Sequence, residues 1–215
     1  MTGPVLPLFL PALAFLVPLA AALVAPSAQA QPRRYTLDPA GSQLKIHVGK
    51  SGVFGFAGHE HDVVAGTFHG TATFDPDRIA QSAVDLTFEA GALRVTGEGA
   101  PKGDAAEVQA AMIGAACLDV HRFPAIHFVS KTVAAVGEAA GGGRDLSIAG
   151  ALTLHGVTRP LTIRVRLEIK GDALEATGST TIRQTDFGMT PISKAGVVKV
   201  KDELALSWQI RGTAR

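Results

Sequence analysis

The chain has 215 residues, a formal net charge of +1, 47% hydrophobic and 18% charged residues. That balance, with no Lys/Arg-rich tract and no interleaving of aromatic with basic residues, excludes nucleic acid as a partner and offers no field for an anionic membrane surface. With residues 1–30 set aside, 31–215 make one ordinary domain, long enough to bury a sizeable core.

The first thirty residues read as a leader. Leu6 to Val24 is almost wholly apolar, Pro26 breaks the run, and Ala28-Gln-Ala30 is a small-x-small cleavage pattern. The n-region carries no Lys or Arg. The apolar run approaches the ~20 residues of a membrane span, but Pro4, Pro7, Pro11 and Pro18 oppose a stable spanning helix. The expectation is a signal peptide cleaved after Ala30. The only cysteine is Cys117, so a lipobox is absent and no internal disulfide can form. A lone thiol with no activating charge nearby is expected to be buried rather than reactive.

The rest of the chain alternates with a period of two, the mark of strands with one dry face and one wet. Leu44, Ile46 and Val48 alternate first. Val64, Gly66, Phe68, Gly70, Ala72 and Phe74 share one face, opposite Thr67, His69, Thr71 and Thr73. Val84, Leu86 and Phe88 face away from Asp85, Thr87 and Glu89. One helix interrupts. Asp104 with Glu107 three residues on is a capping-box arrangement, and Val108, Ala111, Met112 and Ala115 follow at helical spacing. Ile126 and Phe128 resume the alternation, and Gly141-Gly-Gly143 is a loop. Leu146, Ile148, Leu152 and Leu154 lead through His155-Gly156 into Leu161, Ile163, Val165, Leu167 and Ile169, whose other face carries Thr162, Arg164, Arg166, Glu168 and Lys170. Gly171-Asp172 reads as a hairpin turn. Val200, Leu204, Leu206, Trp208 and Ile210 close the series. Short connections between such strands favour antiparallel pairing. Antiparallel strands with one apolar face each either stack as two sheets or close into a barrel; periodicity does not choose. Small inner residues (Gly66, Gly70, Ala72, Gly150) leave room for a ligand or relieve crowding at strong curvature.

The spelling of several segments adds to the pattern. Leu152-Thr-Leu-His-Gly-Val-Thr-Arg-Pro-Leu-Thr162 resembles the signature hairpin of the YceI-like family, periplasmic bacterial proteins that bind polyisoprenoid and other long-chain lipids. Phe123-Pro-Ala-Ile-His-Phe-Val-Ser130 is similar to its second hallmark, and Tyr35-Thr-Leu-Asp38 with Ser42 to its opening. Gly66-Thr-Phe68 with Asp75 resembles its second strand, and Arg183-Gln-Thr-Asp-Phe-Gly188 through Trp208 its closing strands. These motifs run in family order from about Tyr35 to Arg211. Gly49 to Asp62 departs, being longer and richer in histidine. The resemblance implies an all-β, lipocalin-like closed antiparallel barrel of about eight strands with one short helix, spanning 31–215. It also implies a non-enzymatic periplasmic carrier that holds a polyisoprenoid, isoprenoid quinone or fatty acyl lipid in the barrel and exchanges it in transient contact with membranes. No cofactor is expected.

Candidate lining residues are Phe68, Phe88, Phe128, Leu152, Leu154 and Trp208, each on the apolar side of a strand. Arg159 and Arg183 lie near strand ends, where a guanidinium either forks onto a headgroup or pairs with Asp119 or Asp186 as barrel-end structure. His59 and His61 point to one side of an extended segment, a two-nitrogen start for a metal site whose third ligand would come from His47, His69 or His121. Two ligands do not close such a site. The alternative readings are a metal-dependent or redox-partner protein using that region, and a structural barrel with a filled core. Nucleophilic catalysis finds no support: Ser130 and Ser193 lack a nucleophile elbow. Asp186-Phe-Gly188 stands without the glycine loop or lysine of a kinase.

Overall fold

A computed structural model describes residues 31–51, 60–97, 103–138, 143–191, 193–194 and 198–215. The strands are β1 (Arg33–Ser51), β2 (His61–Ala65), β3 (Phe68–Phe74), β4 (Ala83–Glu89), β5 (Leu93–Val95), β6 (Ala125–Glu138), β7 (Arg144–Leu154), β8 (Val157–Lys170), β9 (Ala173–Arg183), β10 (Ser193–Lys194) and β11 (Val198–Ala214), with one helix, α1 (Asp104–Ile113), between β5 and β6. The sheet order β1-β3-β4-β6-β7-β8-β9-β11 is closed by pairing of β11 with β1, which makes an eight-stranded barrel. Every recorded pairing is antiparallel. Closure leaves the eight ring strands no free edge along their paired lengths.

Three neighbouring strands break at one level. β1 bulges between Asp38 and Gln43 against β11. The apolar run read as one strand from Val64 to Phe74 is split at Gly66-Thr67 into β2 and β3, and a 3₁₀ turn at Ala90–Ala92 separates β4 from β5. Above this seam β5 pairs with β2, and β4 alone pairs with β6. α1 lies against β5 at the gap. The Gln109 side chain acts there as a strand segment, accepting from the Val95 N–H (2.8 Å) and donating to the Leu93 carbonyl (3.0 Å). Those two backbone groups would otherwise be an open edge.

The helix starts one residue earlier than its capping motif suggests. Gly103, in the left-handed region at φ 93°, is the N-cap, and Asp104 is the first helical residue with no side-chain cap. A glycine tolerates that φ without strain. Asp104 and Glu107 still occupy the first turn, where carboxylates favour the helix dipole. Ala115 falls beyond the helix, in an exposed turn.

The period-two pattern survives intact on the long strands. Along β7 every second residue from Leu146 to Leu154 is buried. The apolar side of β8 faces inward, while Arg164 and Arg166 opposite are exposed. The His155-Gly156 turn takes φ 52° and 72°, the left-handed pair that a two-residue hairpin needs. Gly171-Asp172 makes the β8–β9 turn, as expected.

Candidate functional site

The inner faces do not meet across the barrel. They enclose an apolar cavity of about 780 Å³ lined by every ring strand, by β2 and β5 and by α1. It runs from Phe74, Leu146, Leu167 and Leu174 at one end to Lys50, His61 and the first turn of α1 at the other. Val108, Ala111 and Met112 of α1 face into it, and no residue of the helix is fully buried. α1 therefore covers the cavity rather than packing on a second layer.

Five of the six candidate lining residues stand on the cavity wall: Phe88, Phe128, Leu152, Leu154 and Trp208. Phe68 does not. It is buried with Leu37 and Ile210 in a small separate cluster, its ring 5.2 Å from that of Phe88. Phe68 keeps the inward parity of Ala72 and Phe74 on β3, but its place at the start of the strand seats it against Leu37 and Ile210, a position along the barrel that alternation cannot reveal.

The small inner residues divide between the two readings. A Cβ on Gly150 would stand 2.4 Å from the Val129 carbonyl oxygen and 2.8 Å from the Phe128 ring. One on Gly178 would meet the Arg164 carbonyl and the Trp208 ring, each at 2.4 Å. These glycines let two aromatic rings lie flat on the wall. Ala72 and Ala176 leave cavity. Gly66 is exposed in the β2–β3 connection and lines nothing.

Neither candidate arginine faces the cavity. Arg159 donates from Nε to the Asp186 carbonyl oxygen at 2.8 Å, and exposed Arg183 pairs with Glu203 at 3.7 Å. Both hold the barrel end together. The pairing differs in detail from expectation: the Asp186 backbone rather than its carboxylate takes Arg159, and Asp119 pairs with Arg122 at 3.4 Å.

The histidines do not converge. His59 lies outside the described residues. His47 Nδ1 stands 2.9 Å from Asp62 on the outer face, where Lys45 reaches the other carboxylate oxygen. The hydrogen bond from Lys45, and then that from His47, hold the Asp62 carboxyl below the usual aspartate range. His127 pairs with Asp85 at 2.9 Å, and His69 and His121 are exposed. Among the described residues no three His, Cys, Asp or Glu side chains come together as metal ligands.

Most family-like motifs build the frame around the cavity. The Phe123 ring stands 4.7 Å from His155, edge-on, and fills the space a Cβ on Gly156 would occupy. His155 Nδ1 is 3.1 Å from the Phe187 carbonyl oxygen. Asp38 accepts from the Ala40 N–H, and Ser42 bonds both the Asp38 carbonyl and the Arg211 N–H, which shapes the bulge of β1. Asp75, fully buried, accepts from the Asp77 and Arg78 N–H groups at the β3–β4 turn. Ser130 accepts from the Val84 N–H (2.9 Å) beside the one-residue bulge in β6. Cys117 is buried at the cavity wall, and burial pushes its thiol pKa up. Sequence reasoning missed the contribution of α1 and of Ala176 and Thr180, whose small side chains carry no strong apolar signal.

A closed antiparallel barrel around an apolar cavity is a lipocalin-like fold. Residues 35–211 match the YceI-like domain, and the chain belongs to that family. It is 34% identical over 131 residues to a UPF0312 protein of Enterobacter sp. strain 638, covering 57% of this chain and 60% of that relative. Protein YceI of Salmonella arizonae is 30% identical over 131 residues with the same coverage. The matched segment thus spans about 60% of the length of these curated relatives. Among solved structures, Burkholderia cenocepacia BcnA superposes with a TM-score of 0.64 at 20% identity, over 82% of this chain and 99% of that one. A polyisoprenoid binding domain from Saccharophagus degradans gives 0.61 at 11% identity, over 84% and 98%. At these identities the likeness is one of fold.

Proposed function

We propose that this protein is a non-enzymatic binding and carrier protein for a long-chain apolar lipid of the isoprenoid, isoprenoid quinone or fatty acyl type. The observation that carries this reading is the cavity itself. Close packing is the norm in protein interiors, and an apolar space of about 780 Å³ is a large departure from it, within the range of ligand sites. A chain entering it gains about 0.8 kcal/mol per buried methylene. The structural neighbour described as a polyisoprenoid binding domain supports the isoprenoid class. The leader supports export, with cleavage after Ala30 and a periplasmic site of action where lipid is exchanged with membranes.

Native mass spectrometry of protein purified from the periplasm tests the reading. The expected result is a mature chain starting at Gln31 that releases a stoichiometric long-chain lipid on denaturation. If saturating isoprenoid, quinone and fatty acyl ligands all leave the melting curve of delipidated protein unmoved, the carrier reading is wrong. Recovery of intact Met1 from a membrane fraction refutes cleavage in favour of an anchor.

A further inference from the structure

Among the described residues, the charged and imidazole side chains on the cavity wall are Lys50, His61, Asp104 and Glu107, and all four stand at the α1 end. Lys50 is near the end of β1, His61 opens β2, and the two carboxylates share the first turn of α1. The other described residues of the wall are apolar or uncharged. A lipid with its tail in the apolar length of the barrel therefore brings its polar end here.

His61 is the distinctive member. It is only 9% exposed. Its Nε2 lies 3.5 Å from the Asp104 carboxylate, while Nδ1 is buried with no hydrogen-bond partner among the described residues. A buried polar atom left unpaired is costly, so such an atom beside a cavity calls for a partner. The carboxylate is an acceptor and favours the ring proton on Nε2, which leaves the Nδ1 of the neutral ring as a lone-pair acceptor. With the carboxylate of Asp104 beside it, this acceptor matches a headgroup that donates. A phosphorylated headgroup is mismatched. It would bring two or so negative charges beside two carboxylates, with one lysine among the described wall residues. The two arginines suited to phosphate, Arg159 and Arg183, are engaged elsewhere.

We infer that His61, held by Asp104, is a headgroup site that selects a lipid ending in a hydroxyl group over one ending in phosphate. The inference rests on the reading of the cavity as a tail site. Because Nδ1 is itself buried, engagement includes a small tilt of the imidazole toward the cavity that keeps Nε2 on Asp104.

The test titrates delipidated protein, following Trp208 fluorescence, with probes sharing one nonaprenyl tail: the free alcohol, its acetate ester, its monophosphate and the corresponding hydroquinone. One hydrogen bond from the hydroxyl predicts that the alcohol or the hydroquinone binds about five- to tenfold more tightly than the acetate, with the phosphate weakest. The tighter of the first two identifies the hydroxyl as aliphatic or phenolic. His61→Phe, which keeps a ring and removes the acceptor, should bring alcohol and acetate within about twofold while acetate affinity holds. His61→Leu replaces it if the larger ring does not fold. A phosphate that binds tightest, or a wild-type ratio retained in the folded His61 variant, overturns the headgroup site. If no probe binds wild-type protein, the tail reading fails as well, and the two failures are thereby told apart.

Discussion

Filling the cavity should separate binding from stability. Ala176 lies on the cavity wall, paired with Leu167 on one side and Ile210 on the other. Two residues on, Gly178 carries the Trp208 ring against it. In Ala176→Phe a phenyl ring projects into existing space, so the usual overpacking cost of about 1–3 kcal/mol is largely avoided. Fully burying such a side chain stabilises by about 1.5–3 kcal/mol, less what the wall and rotamer freedom take back. A net gain of about 1 kcal/mol in the delipidated protein is expected, or about 2–4 °C in Tm for a domain of this size. The same ring obstructs the tail. Wild-type protein at a hundred times Kd gains about 2.7 kcal/mol from ligand, or roughly 5–10 °C; the variant should gain less than half of that. Thermal melts with and without a long isoprenoid read both quantities, and the single tryptophan at position 208 reports occupancy independently. A destabilised variant whose binding loss merely follows its stability loss would refute the reasoning, as would a stable variant that binds lipid like wild type.

Three further outcomes follow from particular contacts. Gln109→Ala removes both bonds to the free edge of β5, so amide exchange at Val95 should accelerate at least tenfold, with about 1–3 kcal/mol lost in urea unfolding; unchanged exchange there would show that α1 does not close that edge. The Asp62 carboxyl is held below the aspartate range by Lys45 and then His47; its contribution is present above the unfolded value of about 3.9 and is lost as pH falls through the lower folded value. Urea midpoints of Asp62→Asn should therefore decline less steeply below about pH 4 than those of wild type, and parallel curves would refute the coupling. The Cys117 thiol, buried and with its pKa raised by burial, should resist a charged thiol reagent at pH 8 and react promptly in denaturant; rapid labelling of folded protein would place it at an accessible rim.

How much of this was legible beforehand differs between faces and sites. Alternation placed Leu146, Ile148, Leu152 and Leu154 inward, and the burial of β7 follows it residue by residue. The same holds for Trp208 and Phe128, because in a strand the face of a side chain depends only on its parity. Parity is lost where the chain kinks. Gly66-Thr67 and Ala90–Ala92 reset it, so that Val63 rather than Val64, and Leu93 after Phe88, line the cavity. Parity also says nothing of position along the barrel, and Phe68, on the inner face of β3, packs with Leu37 and Ile210. Asp104 carried the letters of a cap, but Gly103, free to take a positive φ, stands there.

The family-like motifs made the fold recognisable because they are the pieces of the barrel with special geometry. His155-Gly156 makes the tight turn, Asp75 and Asp38 hold backbone N–H groups, and Phe123 rests where only glycine fits. Such requirements are local and leave their mark in the letters. Closure and the cavity are not local. β1 and β11 pair from Tyr35↔Ala214 to Ser51↔Lys199, separations of 179 down to 148 residues, a contact no short pattern encodes. Whether inner side chains meet or leave a space depends on strand number, tilt and stagger of the closed ring, to which every strand contributes and which no strand carries alone. Tertiary structure likewise brought His61 beside Asp104 and turned Arg159 onto the Asp186 carbonyl. The composition and period of the chain determined a set of half-apolar antiparallel strands; only their closure decided that the apolar faces would surround a cavity.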